Sequence, residues 1–185
     1  MKYRTEIDGL RAVSVVAVVI FHFFPSILKS GYLGVDIFFI ISGYLITSHL
    51  TKLKNKNKKI LLKQFYARRI KRIFPALFVF FSLTTLALVF ILIRHDFEKY
   101  FNSLIAAKTF WANWYFWIDG GYFGGNDKLK PLLHTWSLSV EEQFYLIYPM
   151  LIIFGFWLQQ KLKVRLIIFL MLVTSISFFL WVYLH

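Results

Sequence analysis

Long apolar runs dominate the pattern of hydrophobic and polar positions along the chain. A helix needs roughly 20 mostly apolar residues to cross the hydrocarbon region of a bilayer. Five stretches meet this requirement: Leu10–Leu28, Tyr32–Leu50, Ile73–Ile93, Val140–Leu158 and Leu166–Leu184. The third and the fifth contain no charged residue. The pattern therefore predicts an all-α fold, a polytopic membrane helix bundle with about five transmembrane helices.

A sixth stretch, Phe101–Ile118, is also apolar but is interrupted by Asn102, Lys108 and Asn113. Tryptophan and tyrosine collect at the boundary between lipid and water. The second half of this stretch is rich in such side chains: Trp111, Trp114, Tyr115, Phe116 and Trp117. We therefore expect an interfacial or re-entrant helix here, in preference to a full crossing.

Lysine and arginine set the predicted orientation, because the cytoplasmic loops of membrane proteins are enriched in both. Thr51–Arg72 holds ten basic residues and no acidic residue, and Lys161–Arg165 holds three more basic residues. Arg94–Thr135 mixes bases with acids, so we expect it on the exterior side. The N-terminus is then cytoplasmic.

The first apolar run contains Arg11 and His22 and lacks a small-residue cleavage site, so we do not expect a signal peptide.

Composition agrees with a membrane protein and excludes several classes of chemistry. The 185 residues are 58% hydrophobic and only 17% charged, whereas about a quarter of an average soluble domain is charged. The absence of cysteine excludes thiol nucleophiles and cysteine-bound zinc. The five histidines are scattered, so we expect no metal site. The net charge of +13 is mainly a topology signal, and we expect no nucleic-acid partner.

Arg11 and His22 are the first candidate site residues, since ionisable groups within the membrane are costly and often functional. Eleven positions are close to three helical turns, so both lie on one face, about 16 Å apart along the axis. An anion could bind at one end of this face and proton chemistry could occur at the other. The alternatives are an arginine that reaches the membrane surface and a hydrogen-bonded structural histidine.

Asp36 could face His22 across a short turn between the first two helices and orient its imidazole. The alternative is an aspartate wetted by solvent at the exterior end of the second helix.

Arg69 and Arg72 are three residues apart and so share a helix face, and guanidinium groups bind phosphate in a bidentate manner. Their alternative role is anchoring to anionic lipid headgroups on the cytoplasmic side.

Two carboxylates, Glu141 and Glu142, open the fourth span. Ser137 or Ser139 could cap this helix, and acidic residues in its first turn would suit the helix dipole. Because a cap does not require both acids, Glu142 is the better functional candidate. Tyr145 and Tyr148 lie on the same face as Glu141, and we interpret them as packing or interface residues.

Several blocks of the chain together resemble the N-terminal half of membrane acyltransferase family 3, the bacterial O-acyltransferases that modify cell-surface glycans. They occur in the family's order: Tyr3–Ala12 followed by His22, then Gly34–Leu45, then Arg69-x-x-Arg72, then His134–Tyr145. Arg11 and His22 are similar to the family's Arg-x10-His signature.

The resemblance implies a function and a set of site residues. An acyl-CoA, usually acetyl-CoA, would be the donor substrate on the cytoplasmic side of the inner (plasma) membrane, without a permanently bound cofactor. His22 would be the catalytic base, with Asp36 and Glu142 as further polar members of the site. The donor phosphates would bind to Arg11, Arg69 and Arg72. The acceptor would be a sugar hydroxyl of lipopolysaccharide, peptidoglycan or another exported or lipid-linked glycan.

The family's membrane domain has about ten helices, whereas this sequence supplies about five. We therefore expect residues 1–185 to form one membrane-embedded acyltransferase-type domain that is truncated at its C-terminal end. A complementary C-terminal half is an expected partner. Two alternatives to an active enzyme stay open. One is an inactive half-domain remnant, and the other is a proton-coupled transporter or acyl conduit.

Overall fold

The computed structural model describes residues 4–51, 58–120, 130–163 and 165–184. Within these ranges the chain forms helices and turns and no strand, which confirms the all-α prediction. The described residues form seven helices: α1 (Thr5–Phe23), α2 (Leu33–Thr51), α3 (Lys58–Val89), α4 (Arg94–Lys108), α5 (Ala112–Ile118), α6 (Thr135–Leu162) and α7 (Leu166–Leu184).

Two stretches of the described chain, Leu33–Thr51 and Leu62–Val89, are long and apolar enough to cross a membrane. The first agrees with the second predicted span. The second begins eleven residues before the predicted Ile73–Ile93, because α3 continues unbroken through the basic segment. Helix α1 ends at Phe23, five residues short of the predicted end at Leu28, since Pro25 cannot donate a helical hydrogen bond. The other three crossings stay predictions.

The structure divides Phe101–Ile118 between α4 and α5, so the expectation of a single helix there is wrong. The interfacial or re-entrant position of this stretch stays a prediction. Phe110 has a φ angle of 54° between the two helices, and the Trp111 N–H donates to the Ala106 carbonyl at 2.7 Å. The 15 residues of α4 and the 7 of α5 extend about 22 Å and 10 Å, less than the roughly 30 Å of hydrocarbon in a bilayer. Neither helix is long enough to cross on its own.

The contacts divide the chain into two compact units, Met1–Lys54 with Phe154–His185, and Asn55–Ile153. In the first unit, α1 and α2 form an antiparallel hairpin in which glycines allow close approach. A β-carbon at Gly31 would collide with the Ala17 carbonyl oxygen, and one at Gly34 would lie 2.8 Å from Val18 Cγ2. Small residues at such contacts let membrane helices pack closely.

The second unit has a buried core where α3, α4, α5 and the start of α6 meet. Its buried members are Phe81, Tyr100, Leu104, Ala107, Ala112, Phe116, Leu132 and Leu133. The hydroxyls of Thr85 and Tyr100 are 2.7 Å apart, which satisfies a buried polar group and joins α3 to α4. Phe116 therefore belongs to this core and not to the predicted aromatic belt, whereas Trp111, Trp114 and Trp117 are exposed. The belt formed by the exposed rings stays a prediction.

Candidate functional site

Arg11 and His22 lie in the same continuous helix, α1, as their spacing predicts. Arg11 is half-buried, and its Nη1 lies 3.9 Å from Asp8 Oδ1, one turn earlier. Its Nε is buried and has no hydrogen-bond partner among the described residues. A guanidinium held by one carboxylate with a donor left over can accept a further anionic group. The three-residue spacing of Asp8 and Arg11 could have predicted this ion pair, which was not among the sequence-based expectations.

The hydrogen bond of His22 determines which ring nitrogen can act as a base. Its Nδ1 lies 2.9 Å from the Val18 carbonyl oxygen, one turn back on α1. Since a carbonyl can only accept, Nδ1 is assigned as the donor, and the neutral ring then carries its lone pair on Nε2. The ring also packs edge-on against Phe21, with centroids 5.5 Å apart. Both contacts hold the imidazole at the end of α1.

Asp36 lies in the first turn of α2 and is exposed. The glycine contacts of the hairpin put it level with Ser14, about 12 Å along the axis from His22. It also lies about 160° around α2 from Gly34, which faces α1. The structure therefore does not bring Asp36 alongside His22 within the hairpin, which is where the sequence analysis placed it.

Arg69 and Arg72 have different surroundings although they are one turn apart on α3. The Arg69 guanidinium carbon lies 3.8 Å from the centre of the Tyr145 ring and 5.6 Å from that of Phe65. Arg69 is half-buried by these rings, whereas Arg72 is exposed. A guanidinium over an aromatic face keeps N–H groups that a ligand can accept. The structure thus orders Arg69 and leaves Arg72 at the surface.

The prediction that Ser137 or Ser139 caps α6 is wrong, because the helix already begins at Thr135. Ser137 Oγ lies 3.2 Å from the His134 carbonyl. Ser139 is buried; its hydroxyl donates to the Thr135 carbonyl and accepts the Ala112 N–H at 3.3 Å. Glu141 is therefore beyond the first turn, where an interaction with the helix dipole would no longer explain it.

Tyr145, Glu141 and Glu142 form, with Arg69, a polar cluster between α3 and α6, which we call the Arg69–Tyr145 cluster. Tyr145 is only 2% exposed, and its hydroxyl donates to Glu141 Oε1. Glu142 interacts electrostatically with both Glu141 and Arg69. Its Oε1 is buried and has no hydrogen-bond partner among the described residues. Interpreting Tyr145 as a packing residue was incomplete, because its ring and its hydroxyl each hold a charged side chain.

A second set of side chains fixes α5 against α6, and the sequence analysis missed its role. Gln143 Nε2 donates to Asn113 Oδ1 at 2.9 Å and to the Phe110 carbonyl at 2.7 Å. The Asn113 amide donates back to Gln143 Oε1 at 3.3 Å. An asparagine and a glutamine inside apolar runs were the available signal, since buried amides need partners. Gln143 is the neighbour of Glu142, so this contact also helps to fix the carboxylates of α6.

Comparison with known proteins agrees with the family suggested by the sequence blocks. The family model described as "Acyltransferase domain", that of acyltransferase family 3, matches residues 4–185. The chain is 40% identical over 179 residues to the peptidoglycan O-acetyltransferase OatA of Listeria monocytogenes, covering 95% of this chain and 28% of that protein. It is 39% identical over 189 residues to the O-acetyltransferase OatA of Staphylococcus aureus, covering 100% of this chain and 30% of that protein.

The chain thus spans about 30% of the length of these curated relatives. No solved structure matches it significantly. The family match nevertheless runs through almost the whole chain and includes α1 with its Arg11–His22 face and α6 with its carboxylates. The chain therefore belongs to acyltransferase family 3.

Proposed function

We propose that this chain is the N-terminal part of a membrane enzyme that transfers an acetyl group from acetyl-CoA to a sugar hydroxyl of peptidoglycan. The relatives' names support O-acetyl transfer, and one of them specifies peptidoglycan. Neither of these names mentions lipopolysaccharide, so peptidoglycan is the acceptor that we favour among the glycans considered. The observation that carries the proposal is the contact between His22 Nδ1 and the Val18 carbonyl, from which the lone pair of the neutral ring is assigned to Nε2.

The proposed reaction is a direct transfer between a thioester and an alcohol. Nε2 of His22 removes the proton from the acceptor hydroxyl while the oxygen attacks the acetyl carbonyl carbon. The carbon–sulfur bond then breaks, and the thiol of CoA leaves with the proton returned by the imidazolium. Atoms and charges balance without an oxidant or a metal ion. The Val18 carbonyl keeps Nδ1 protonated, which stabilises the imidazolium formed during the reaction.

The arginines are proposed to bind the donor's phosphates. Arg11 has a buried Nε without a partner among the described residues, and Arg69 is ordered by Tyr145. Arg72 is exposed and would add long-range attraction for the phosphates. Glu142, with its unpartnered buried oxygen, is proposed as an acceptor for a substrate hydroxyl. Asp36 is proposed as a more distant member of the site.

The proposal includes a membrane arrangement. We propose five crossings, with the N-terminus in the cytoplasm of a bacterial cell and the lysine-rich segment before α3 on the same side. The two long apolar helices support membrane insertion. Residues 1–185 would form one membrane-embedded acyltransferase-type domain that needs a complementary C-terminal half. This arrangement brings a cytosolic donor to a membrane-embedded base.

Acetyl transfer by matched histidine variants tests the proposal. Cells deficient in peptidoglycan O-acetylation would express the chain together with the remaining segment of the Listeria monocytogenes relative, and released acetate would be measured after alkaline hydrolysis of the cell wall. We expect His22→Ala to abolish acetylation while the protein still inserts. His95→Ala, at an exposed position on α4, is the matched control and should retain activity. Normal acetylation by His22→Ala would rule out the proposed base.

A further inference from the structure

The position of Tyr145 links the two kinds of charged group in the Arg69–Tyr145 cluster. Its ring lies beneath the Arg69 guanidinium, and its hydroxyl donates to Glu141. The Tyr145 side chain is almost fully buried, whereas Arg69 and Glu141 are half-buried, so both contacts are partly shielded from bulk solvent. Cation–π attraction strengthens when the partners are removed from water. A single residue therefore restricts both an arginine and a carboxylate.

The two contacts use different parts of the side chain. The face of the ring contacts the guanidinium of Arg69, whose carbon lies 3.8 Å from the ring centre. The hydroxyl fixes one oxygen of Glu141, the immediate neighbour of Glu142. A phenylalanine would keep the first effect and lose the second, whereas a leucine would lose both. The roles of ring and hydroxyl can thus be separated by substitution.

We propose that Tyr145 is a positioning residue that holds Arg69 in the orientation needed to bind an anionic group and, through its hydroxyl, holds Glu141. This inference rests on the proposed function for the identity of the anion, the phosphate of the donor CoA. The position of Arg69 is independent of that function, because it follows from the contact with the Tyr145 ring. Tyr145 itself acts through Arg69 and Glu141 and is not assigned a direct contact with substrate.

Chemical labelling of the arginines tests the positioning without any substrate. The purified chain in detergent micelles would react with phenylglyoxal, and modification of Arg69 and Arg72 would be followed by peptide mass spectrometry. We expect Arg69 to react several times more slowly than the exposed Arg72 in the wild type and in Tyr145→Phe. In Tyr145→Leu the two rates should become similar. Tyr148→Leu removes a neighbouring ring that stacks on Phe144 and should leave Arg69 protected.

Fast labelling of Arg69 in the wild type, or slow labelling in a folded Tyr145→Leu, would overturn the inference. Circular dichroism melting would establish that each variant is folded. If Tyr145→Leu does not fold, the inference is tested by Tyr145→Phe alone, in which Arg69 must still react slowly with phenylglyoxal. Loss of protection in Tyr145→Phe would mean that the ring does not hold the guanidinium.

Binding and turnover, measured on the chain co-purified with the remaining segment of the Listeria monocytogenes relative, then connect the positioning to the reaction. We expect Tyr145→Leu to weaken CoA binding by roughly tenfold, the scale of one desolvated cation–π contact. Tyr145→Phe should keep CoA affinity and the KM for acetyl-CoA but lower kcat by roughly tenfold, the scale of one hydrogen bond. Equal changes in KM and kcat in Tyr145→Phe would contradict separate roles. A wild type that does not bind CoA, with Arg69 still protected, would refute the proposed function and leave the positioning intact.

Discussion

The guanidinium carbon of Arg69 lies 3.8 Å from the centre of the Tyr145 ring. By the sequence-based boundaries, Arg69 precedes the cytoplasmic start of Ile73–Ile93, and Tyr145 follows the exterior start of Val140–Leu158. Those two starts would lie on opposite sides of roughly 30 Å of hydrocarbon. Because the two side chains touch, the predicted starts at Ile73 and Val140 cannot both be correct. An apolar helix beginning at Leu62 places Arg69 about 10 Å inside the candidate span, and the start of α6 at Thr135 places Tyr145 about 15 Å along its own helix, so the two shifts together bring both residues toward the same depth.

Replacement of Arg69 by lysine should weaken donor binding although the charge is retained. An ammonium group cannot stack flat on Tyr145 or present the same fork of N–H groups to a phosphate. We expect the CoA affinity of the chain, co-purified with the remaining segment of the Listeria monocytogenes relative, to fall by roughly tenfold, measured by isothermal titration calorimetry. Lys71→Gln, at an exposed position on the same helix, is the control and should have little effect. An unchanged affinity in Arg69→Lys would show that stacking and bidentate geometry do not matter there.

Substitution of Gly34 by alanine should destabilise the α1–α2 hairpin. The added β-carbon would collide with the Ser14 carbonyl oxygen and lie 2.8 Å from Val18 Cγ2. Forced separation of well-packed helices costs about 1–3 kcal/mol. Gly9→Ala is the control, because nothing lies within 4 Å of its β-carbon position. Alanine there should leave stability unchanged or raise it by up to about 1 kcal/mol, as its helix propensity is higher. Denaturant titration in detergent micelles would compare the two free energies of unfolding.

The Asn113–Gln143 pair should show energetic coupling between α5 and α6. Gln143→Leu leaves the Asn113 amide and the Phe110 carbonyl without this partner, which should cost about 1–3 kcal/mol of unfolding free energy. The double variant Asn113→Leu/Gln143→Leu should cost less than the sum of the two single variants, with a coupling of about 1 kcal/mol. Strict additivity in this double-mutant cycle would show that the reciprocal amide contact does not stabilise the unit.

Cysteine labelling should locate the ends of the helices relative to the membrane. The chain contains no cysteine, so each introduced thiol is unique. Ser30→Cys, in the turn before α2, should react with a membrane-impermeant maleimide in intact spheroplasts. Gln160→Cys, near the end of α6, should react only after the membrane is opened. Both positions are exposed in the structure. The reverse result would place the N-terminus outside and would separate the cytosolic donor from the proposed arginine site.

The sequence by itself determined the class of the fold and the shared helix face of the two candidate site residues on α1. Apolar runs of membrane length require helices, because a chain in lipid must satisfy its own backbone hydrogen bonds. The spacing of Arg11 and His22 determined their shared face, since the helix period alone decides it. The order of the sequence blocks was enough to suggest the family by resemblance, and the family match over residues 4–185 confirmed it.

Only the tertiary structure decided which polar groups meet. The break at Phe110 is held by α6, because Gln143 donates to the Phe110 carbonyl and Ser139 accepts the Ala112 N–H. The role of Tyr145 was hidden because a buried tyrosine looks the same in sequence whether it meets lipid, a hydrophobic core or an arginine. Local periodicity specifies the face of a helix on which a side chain lies. The partner on that face is set by the register between helices distant in the chain, which is a property of packing.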